Sequence, residues 1–245
     1  MFKLQNILKT SLVMLTGAAA VLVVNFSLTT AANAGEEISS IARGGQLYDK
    51  WYKVIKAEKP TETHLAWPAS NTKKKGDATQ RCKACHGWDM MGKDGAYASG
   101  SYKTGIKGLK NMQGASVDTV IAAIKDDTHG FAGKMDDKDY MDLALFVTKG
   151  QVDMDKMINR DTKQANGNAA KGAEYYNTVC ANCHAKDGSL PKDMPLLGKL
   201  ANKNPWEIIQ KILNGQPAEA MPAMRAFDHQ ISVDVLAYLQ TLPKE

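Results

Sequence analysis

The five residues CANCH at positions 180–184 repeat a signature, CKACH, that stands at positions 82–86. Together the two stretches contain all four cysteines of the 245-residue chain. A C-x-x-C pair can form a redox disulfide, two such pairs can hold one zinc ion, and C-x-x-C-H can attach a c-type haem. A histidine directly follows both pairs, and neither a disulfide nor a zinc site requires that coincidence twice. The repeated signature therefore predicts two covalently bound haem c groups.

The signature positions a haem through simple geometry. Its two cysteines form thioethers with the two vinyl groups on one edge of the porphyrin, and the next residue then lies under the ring. The predicted attachment residues are Cys82, Cys85, Cys180 and Cys183. His86 and His184 are the predicted proximal ligands of the two irons, and the identity of the axial ligands is a main determinant of haem potential.

The first 34 residues have the pattern of a secretory signal peptide. Two lysines precede an unbroken apolar run over residues 11–24, and Ala32-Asn33-Ala34 matches a cleavage site. Residues 1–34 are therefore predicted to be removed and the mature chain to be periplasmic, in an oxidising compartment where free thiols are uncommon. The alternative is an uncleaved membrane anchor, but the apolar run of 14 residues is short for a bilayer span of about 20 residues.

Charge indicates which partners the chain meets. The formal net charge of +5 falls to +3 when Lys3 and Lys9 leave with the signal. This mild charge on an exported chain predicts no nucleic-acid partner, although it can steer an acidic protein partner. A run of lysines at positions 73–75 precedes the first signature and is either a docking patch or a solvated loop.

Hydrophobic periodicity predicts helices on both sides of the second signature. A helix starts at about Ala169 and runs into CANCH, and a loop marked by Pro and Gly follows. Residues 204–215 show apolar residues at helical spacing, with Asn204 as a candidate N-cap and Pro205 at the first helical position. After a Met-Pro loop, residues 231–242 again place apolar residues on one helical face.

Residues 165–245 resemble a class I cytochrome c domain. The likeness rests on G-x-x-x-Y before CxxCH, a Pro-Leu-x-Gly loop, an I-x-N-G helix end, the Met-Pro pair and a C-terminal LAYL helix. This resemblance implies that Met221 is the sixth iron ligand at the second haem, with Met224 as the competing residue. It also implies that the carbonyl of Pro195 orients the proximal imidazole, the kind of bond that fixes ring orientation.

The first half repeats this plan with changes. The segment ARGGQLYDKWY at positions 42–52 resembles KGAEYYNTV but lies about 30 residues too far from its signature, so residues from about 50 to 80 hold an insertion. The whole layout resembles dihaem class I cytochromes of the cytochrome c4 type. The predicted fold is all-α, with two tandem class I cytochrome c domains at 35–150 and 169–245. Each is expected to place a few helices around one covalent haem, with residues 151–168 as a polar linker.

The first half has no Met-Pro loop, so its distal ligand must come from elsewhere. When the last helices of the two halves are aligned on their aromatic residues, His129 occupies the place of Met221, and Met135 is the runner-up. His64, in the insertion, is a third candidate, which we expect to be a surface-loop histidine. A histidine ligand at haem 1 and a methionine at haem 2 predict a low and a high potential, because a Met ligand raises the potential.

The leading function is electron transfer between periplasmic or membrane redox proteins, with no catalytic residue and no small-molecule substrate. Alternatives are a cytochrome subunit of a periplasmic oxidoreductase or respiratory complex, and a dihaem enzyme. Dihaem thiosulfate dehydrogenases typically use a cysteine as sixth ligand, whereas all four cysteines here serve attachment. Dihaem peroxidases need an iron that can open a coordination site, which here would require that His129, Met135 and His64 all fail to bind.

Overall fold

The computed structural model describes residues 34–245, so the predicted signal lies outside the described residues except for its last position. Within the described range the regular secondary structure is helical and there is no β-strand, which agrees with the predicted all-α fold. None of the helices in this range is both long enough and apolar enough to cross a bilayer.

The helices of the first half are short except for the first and last. They are α1 at residues 34–54, α2 at Cys82–His86, α3 at Val117–Lys125 and α4 at Asp137–Thr148. Ser116 caps α3 by accepting a hydrogen bond from the Thr119 N–H, and Asp136 forms a capping box with Asp139 at the start of α4. Such caps pair backbone N–H groups that a helix leaves free at its N-terminus.

The helices of the second half include those that the sequence predicts and two that it does not, one in the predicted linker and one in the predicted loop after CANCH. They are α5 at Met154–Met157, α6 at Ala169–Tyr175, α7 at Ala181–His184, α8 at Leu197–Lys203, α9 at Pro205–Asn214 and α10 at His229–Leu239. One turn of wider π-helix, Tyr176–Cys180, joins α6 to α7, so the chain runs into the second signature without a break. Turns of this kind occur often at functional sites.

Each half contains a close helix crossing at a glycine. In α6, a Cβ atom on Gly172 would lie 2.5 Å from the carbonyl carbon of Asp234 on α10. In α1, a Cβ atom on Gly44 would lie 2.7 Å from the carbonyl carbon of Asp142 on α4. Only a residue without a Cβ fits at either position, so the two glycines allow the first and last helices of each half to touch along their backbones.

Two large apolar clusters and a small third one form the interior of the described residues. The cluster of the first half includes Leu47 and Phe146, and that of the second includes Leu213 and Leu236, all fully buried. The predicted face of α9 is confirmed, because its apolar residues Trp206, Ile208, Ile209, Ile212 and Leu213 are all buried. The segment 151–168 differs from the expected polar linker in one respect, since its apolar residues Met154 and Ile158 are buried in the second cluster.

Polar contacts join the two halves within the compact unit Ser40–Glu245. Asp49 on α1 forms ion pairs with both Arg81 and Lys211, and the three side chains are mostly buried. Gln210 on α9 donates a hydrogen bond of 3.0 Å to the carbonyl of Trp88. Burial by itself raises the pKa of Asp49, but the charges of Lys211 and Arg81 outweigh it and hold that pKa below its ordinary value.

Candidate functional site

The first signature forms helix α2, which carries Cys82, Cys85 and His86 within five residues. The Nδ1 atom of His86 lies 2.9 Å from the carbonyl oxygen of Lys107. A carbonyl can only accept, so Nδ1 carries the proton and Nε2 keeps a free lone pair. A metal-binding imidazole needs this tautomer and a hydrogen bond of this kind, which fixes the orientation of its ring.

The second signature repeats this arrangement. The Nδ1 atom of His184 lies 3.1 Å from the carbonyl oxygen of Leu190, and the Leu190 N–H donates a 3.2 Å hydrogen bond to the carbonyl of His184. The prediction that Pro195 supplies this carbonyl is therefore wrong. The chain turns back so soon after the signature that Leu190, six residues on, already meets the imidazole.

A tyrosine anchors the end of each signature. The Tyr48 hydroxyl donates a 2.6 Å hydrogen bond to the carbonyl of Gly87, and the Tyr176 hydroxyl donates one of the same length to the carbonyl of Ala185. Both acceptors directly follow the signature histidine and both have positive φ, 82° and 60°. Each tyrosine ring also packs 5.3 Å from an aromatic ring on the last helix of its half. The same contacts therefore hold both signatures in place.

The structure brings His86 and His129 together. Their ring centroids lie 6.3 Å apart and their planes differ by 24°. Because an imidazole nitrogen lies about 2 Å from a metal ion that it binds, two imidazoles on opposite sides of one ion have centroids about 6 Å apart. The separation of the two rings therefore suits one iron between them, although the chain positions that carry them are 43 residues apart.

Two side chains hold His129 in this position. Asp126 accepts hydrogen bonds from both the backbone N–H and the Nδ1 atom of His129, at 2.8 and 3.0 Å. The Nε2 atom of His64 lies 2.9 Å from the carbonyl oxygen of His129. The Nδ1 atom of His64 accepts a hydrogen bond from the Ala66 N–H. The expectation that His64 is a surface-loop histidine is wrong, because the residue is only 9% exposed. Sequence reasoning missed Asp126, although its spacing of three from a candidate ligand was a signal.

The candidate methionines have different surroundings. Met135 packs against the first apolar cluster, just before α4. In the second half Met224, rather than Met221, packs against the apolar cluster that Cys180 also contacts. Met221 is partly buried in the same loop, and its role as the sixth ligand stays a prediction.

The surroundings of three of the four thiols do not suit a reactive C-x-x-C pair. The four cysteines form no disulfide. Burial raises the pKa of the Cys82 thiol to about 12 and that of Cys85 and Cys180 to about 11, whereas reactive C-x-x-C thiols have a lowered pKa. In the described range, moreover, no three His, Cys, Asp or Glu side chains gather where they could hold one metal ion.

A buried lysine stands inside the first signature. Lys83 is 4% exposed, and its ammonium lies 4.3 Å from the ring centroid of Tyr102, 5.0 Å from that of Trp88 and 6.0 Å from that of Tyr97. These distances suit cation–π contacts. Burial, together with the nearby charge of Arg81, lowers the pKa of Lys83 to about 7.

The donor sets fit a covalent haem at each signature. Each offers two thiols within one helical turn and an imidazole whose Nδ1 is held by a backbone carbonyl, which leaves Nε2 for iron. The attachment and ligand roles of these residues remain predictions from the signature.

Comparison with known proteins supports this assignment for the second half. Residues 167–239 match the family model described as cytochrome c oxidase, cbb3-type, subunit III. No curated protein matches the chain, and no solved structure does. The matched residues contain the second signature, the loop with Met221 and all of α10. Residues 167–239 are thus similar to a c-type cytochrome domain, of the kind that binds haem c covalently and transfers electrons.

Proposed function

We propose that the chain is an exported dihaem c-type cytochrome that passes electrons between redox protein partners. The observation that carries this proposal is the repetition of one set of contacts around both signatures. In each half a glycine lets the first and last helices touch, and a tyrosine four residues later binds the carbonyl that follows the signature histidine. Only the second of these sites falls within the family match, so the likeness of the first to it supports a second haem.

The proposed axial ligands follow from the surroundings of the first signature and, at the second, from the resemblance of residues 165–245 to a class I cytochrome c domain. At haem 1, His86 and His129 serve as proximal and distal ligands, since the distance between their ring centroids suits one iron between them. At haem 2, His184 is the proximal ligand and Met221 the distal one. A bound haem supplies reversible one-electron chemistry, and its potential depends on the axial ligands. We therefore expect haem 1 to have the lower potential.

The protein's own residues orient the imidazoles and restrain their movement. Backbone carbonyls hold the proximal rings, and Asp126 and His64 hold the distal histidine from two directions. With these hydrogen bonds already formed, we expect the ligands to need little rearrangement when the charge on the iron changes. That is the property an electron carrier requires, and it also disfavours an iron with an open site.

Proteins are the proposed donor and acceptor, in the periplasm, after removal of residues 1–34. A second candidate is a cytochrome subunit of a larger oxidoreductase, because the matching family is described as a subunit of an oxidase. Haem-stained native gels of the periplasmic and membrane fractions separate the two. A band at the mass of the single chain supports the free carrier, and a band at the mass of a complex supports the subunit.

Haem stoichiometry tests the proposal directly. Pyridine haemochrome spectra and intact mass should give two covalent haems per chain. The pairs of substitutions Cys82→Ala with Cys85→Ala, and Cys180→Ala with Cys183→Ala, should each remove one haem. A wild-type chain with one haem would overturn the dihaem proposal while leaving the cytochrome domain of the second half intact.

The ligands are tested by spectroscopy of the oxidised and reduced protein. Two low-spin EPR signals and a far-red methionine–iron band should be present in the wild type. His129→Ala should produce a high-spin signal from one haem and allow carbon monoxide to bind its reduced form, whereas the control His229→Ala should do neither. A high-spin haem in the wild type would instead favour the dihaem enzyme, and screening with peroxide and sulfur oxyanions would follow.

A further inference from the structure

Arg225 is a buried guanidinium in the loop between α9 and α10. The residue is 9% exposed. Its Nε atom donates a 2.9 Å hydrogen bond to Oδ1 of Asn214, and its Nη1 atom donates one of 3.0 Å to the carbonyl of Gly150. The guanidinium carbon lies 5.7 Å from the ring centroid of Phe146, on the last helix of the first half. Arg225 is therefore held in one position at the junction of the two halves.

The third nitrogen of this group, Nη2, is buried and has no hydrogen-bond partner among the described residues. No carboxylate in the described range pairs with Arg225 either, and burial lowers its pKa to about 10. The chain has three other arginines, and each of them pairs with aspartate. A buried charge without a counter-ion is strongly unfavourable, so buried charges in proteins are normally paired. The exception at Arg225 points to an anion that the chain itself does not supply.

The chemistry and place of Arg225 indicate which anion this is. A guanidinium presents its N–H groups in a planar fork that matches a carboxylate. A haem carries two propionate carboxylates, and the residue before Arg225, Met224, packs against the apolar cluster that Cys180 contacts. Arg225, whose Nη2 atom has no partner, lies in the same loop between α9 and α10 as the predicted distal ligand Met221.

We propose that Arg225 binds a propionate of a bound haem through Nη2. This inference rests on the proposed function, since it requires haem in the chain. It assigns a role to a residue outside both signatures and outside the predicted axial ligands. A cation beside a propionate offsets its negative charge and so favours the reduced iron, which means that Arg225 raises the potential of the haem it contacts.

The test is a redox titration of the holoprotein that resolves both haems. Arg225→Gln should lower the midpoint potential of one haem and leave the other nearly unchanged, and Arg225→Lys, which keeps the charge, should restore part of the shift. The haem that shifts is the one whose propionate is bound. Arg43→Gln is the control, because Arg43 is already paired with Asp139 and Asp142, and it should leave both potentials unchanged.

Failure of this inference can be told apart from failure of the proposed function. Pyridine haemochrome and circular dichroism first establish that Arg225→Gln retains two haems and native helicity. If both midpoint potentials of this variant then equal those of the wild type, Arg225 does not bind a propionate. If the wild type holds no haem, the proposed function fails as well. Should the glutamine variant not fold, resonance Raman spectra of wild type and Arg225→Lys decide, because an unshifted propionate bending band would also overturn the inference.

Discussion

Replacing Gly172 by alanine tests the helix crossing that positions the second signature. The added Cβ would lie 2.5 Å from the carbonyl carbon of Asp234 and 3.0 Å from the Cβ of Tyr238. The nearest atoms belong to the backbone of α10, so they can separate only if a whole helix moves. Overpacking a close-packed interior costs about 1–3 kcal/mol, and contact with main-chain atoms places this case at the upper end.

A smaller effect opposes this loss. Alanine in a helix is more favourable than glycine by up to about 1 kcal/mol, which leaves a net destabilisation of about 2 kcal/mol. For a chain of this size, 1 kcal/mol changes the melting temperature by about 2–4 °C, so Gly172→Ala should melt about 4–8 °C below the wild type. Thermal and urea unfolding of the holoprotein, followed by circular dichroism, measure both quantities.

The control for this experiment is Lys171→Ala, a change at the neighbouring, exposed position of the same helix. It should alter the free energy of unfolding by no more than about 0.5 kcal/mol. Gly44→Ala should reproduce the loss in the first half, because the equivalent Cβ there would lie 2.7 Å from both the carbonyl carbon of Asp142 and the Cβ of Phe146. A Gly172→Ala protein as stable as the wild type, or more stable, would refute the close crossing.

Two further predictions concern buried charges at the junction of the halves. Asp49→Asn leaves Arg81 and Lys211 without their anion, so it should lower the free energy of unfolding at pH 7 by about 3–5 kcal/mol. The pKa of Asp49 in the folded protein lies below 3.8. The wild type should therefore lose this stabilisation as the pH falls below 3.8, whereas the variant has no such stabilisation to lose. Asp161 is exposed, so Asp161→Asn is the control. Its free energy of unfolding, from urea titrations at pH 3–7, should match that of the wild type. Lys83 has a folded pKa of about 7 against 10.5 unfolded, so the unfolded chain holds the extra proton between these values and stability should rise with pH across that window. Lys83→Met should remove this rise and stabilise the protein at pH 7 by on the order of 2–4 kcal/mol, and a variant that unfolds at the same urea concentration as the wild type at pH 7 would contradict the argument.

Neighbouring residues in the sequence were sufficient for several conclusions. The spacing of Cys180, Cys183 and His184 identifies a haem signature because all three groups belong to one short stretch of helix, whatever surrounds it. The same holds for α9, where Pro205 and the apolar period predict both the start and the buried face, and the structure confirms them. Aligning the last helices of the two halves selected His129, whose ring centroid lies 6.3 Å from that of His86, and its role as a ligand stays a prediction.

The remaining features depended on how distant segments come together. The carbonyls of Lys107 and Leu190 that hold the proximal rings have no sequence signature, because every residue carries a carbonyl and only the path of the loop selects one. The burial of His64 required the insertion to fold against the His129 loop, which its polar composition did not indicate. In the sequence, no motif or spacing distinguishes Arg225 from any other basic residue. It becomes a candidate ligand for a carboxylate only because the halves enclose its charge and no carboxylate among residues 34–245 pairs with it.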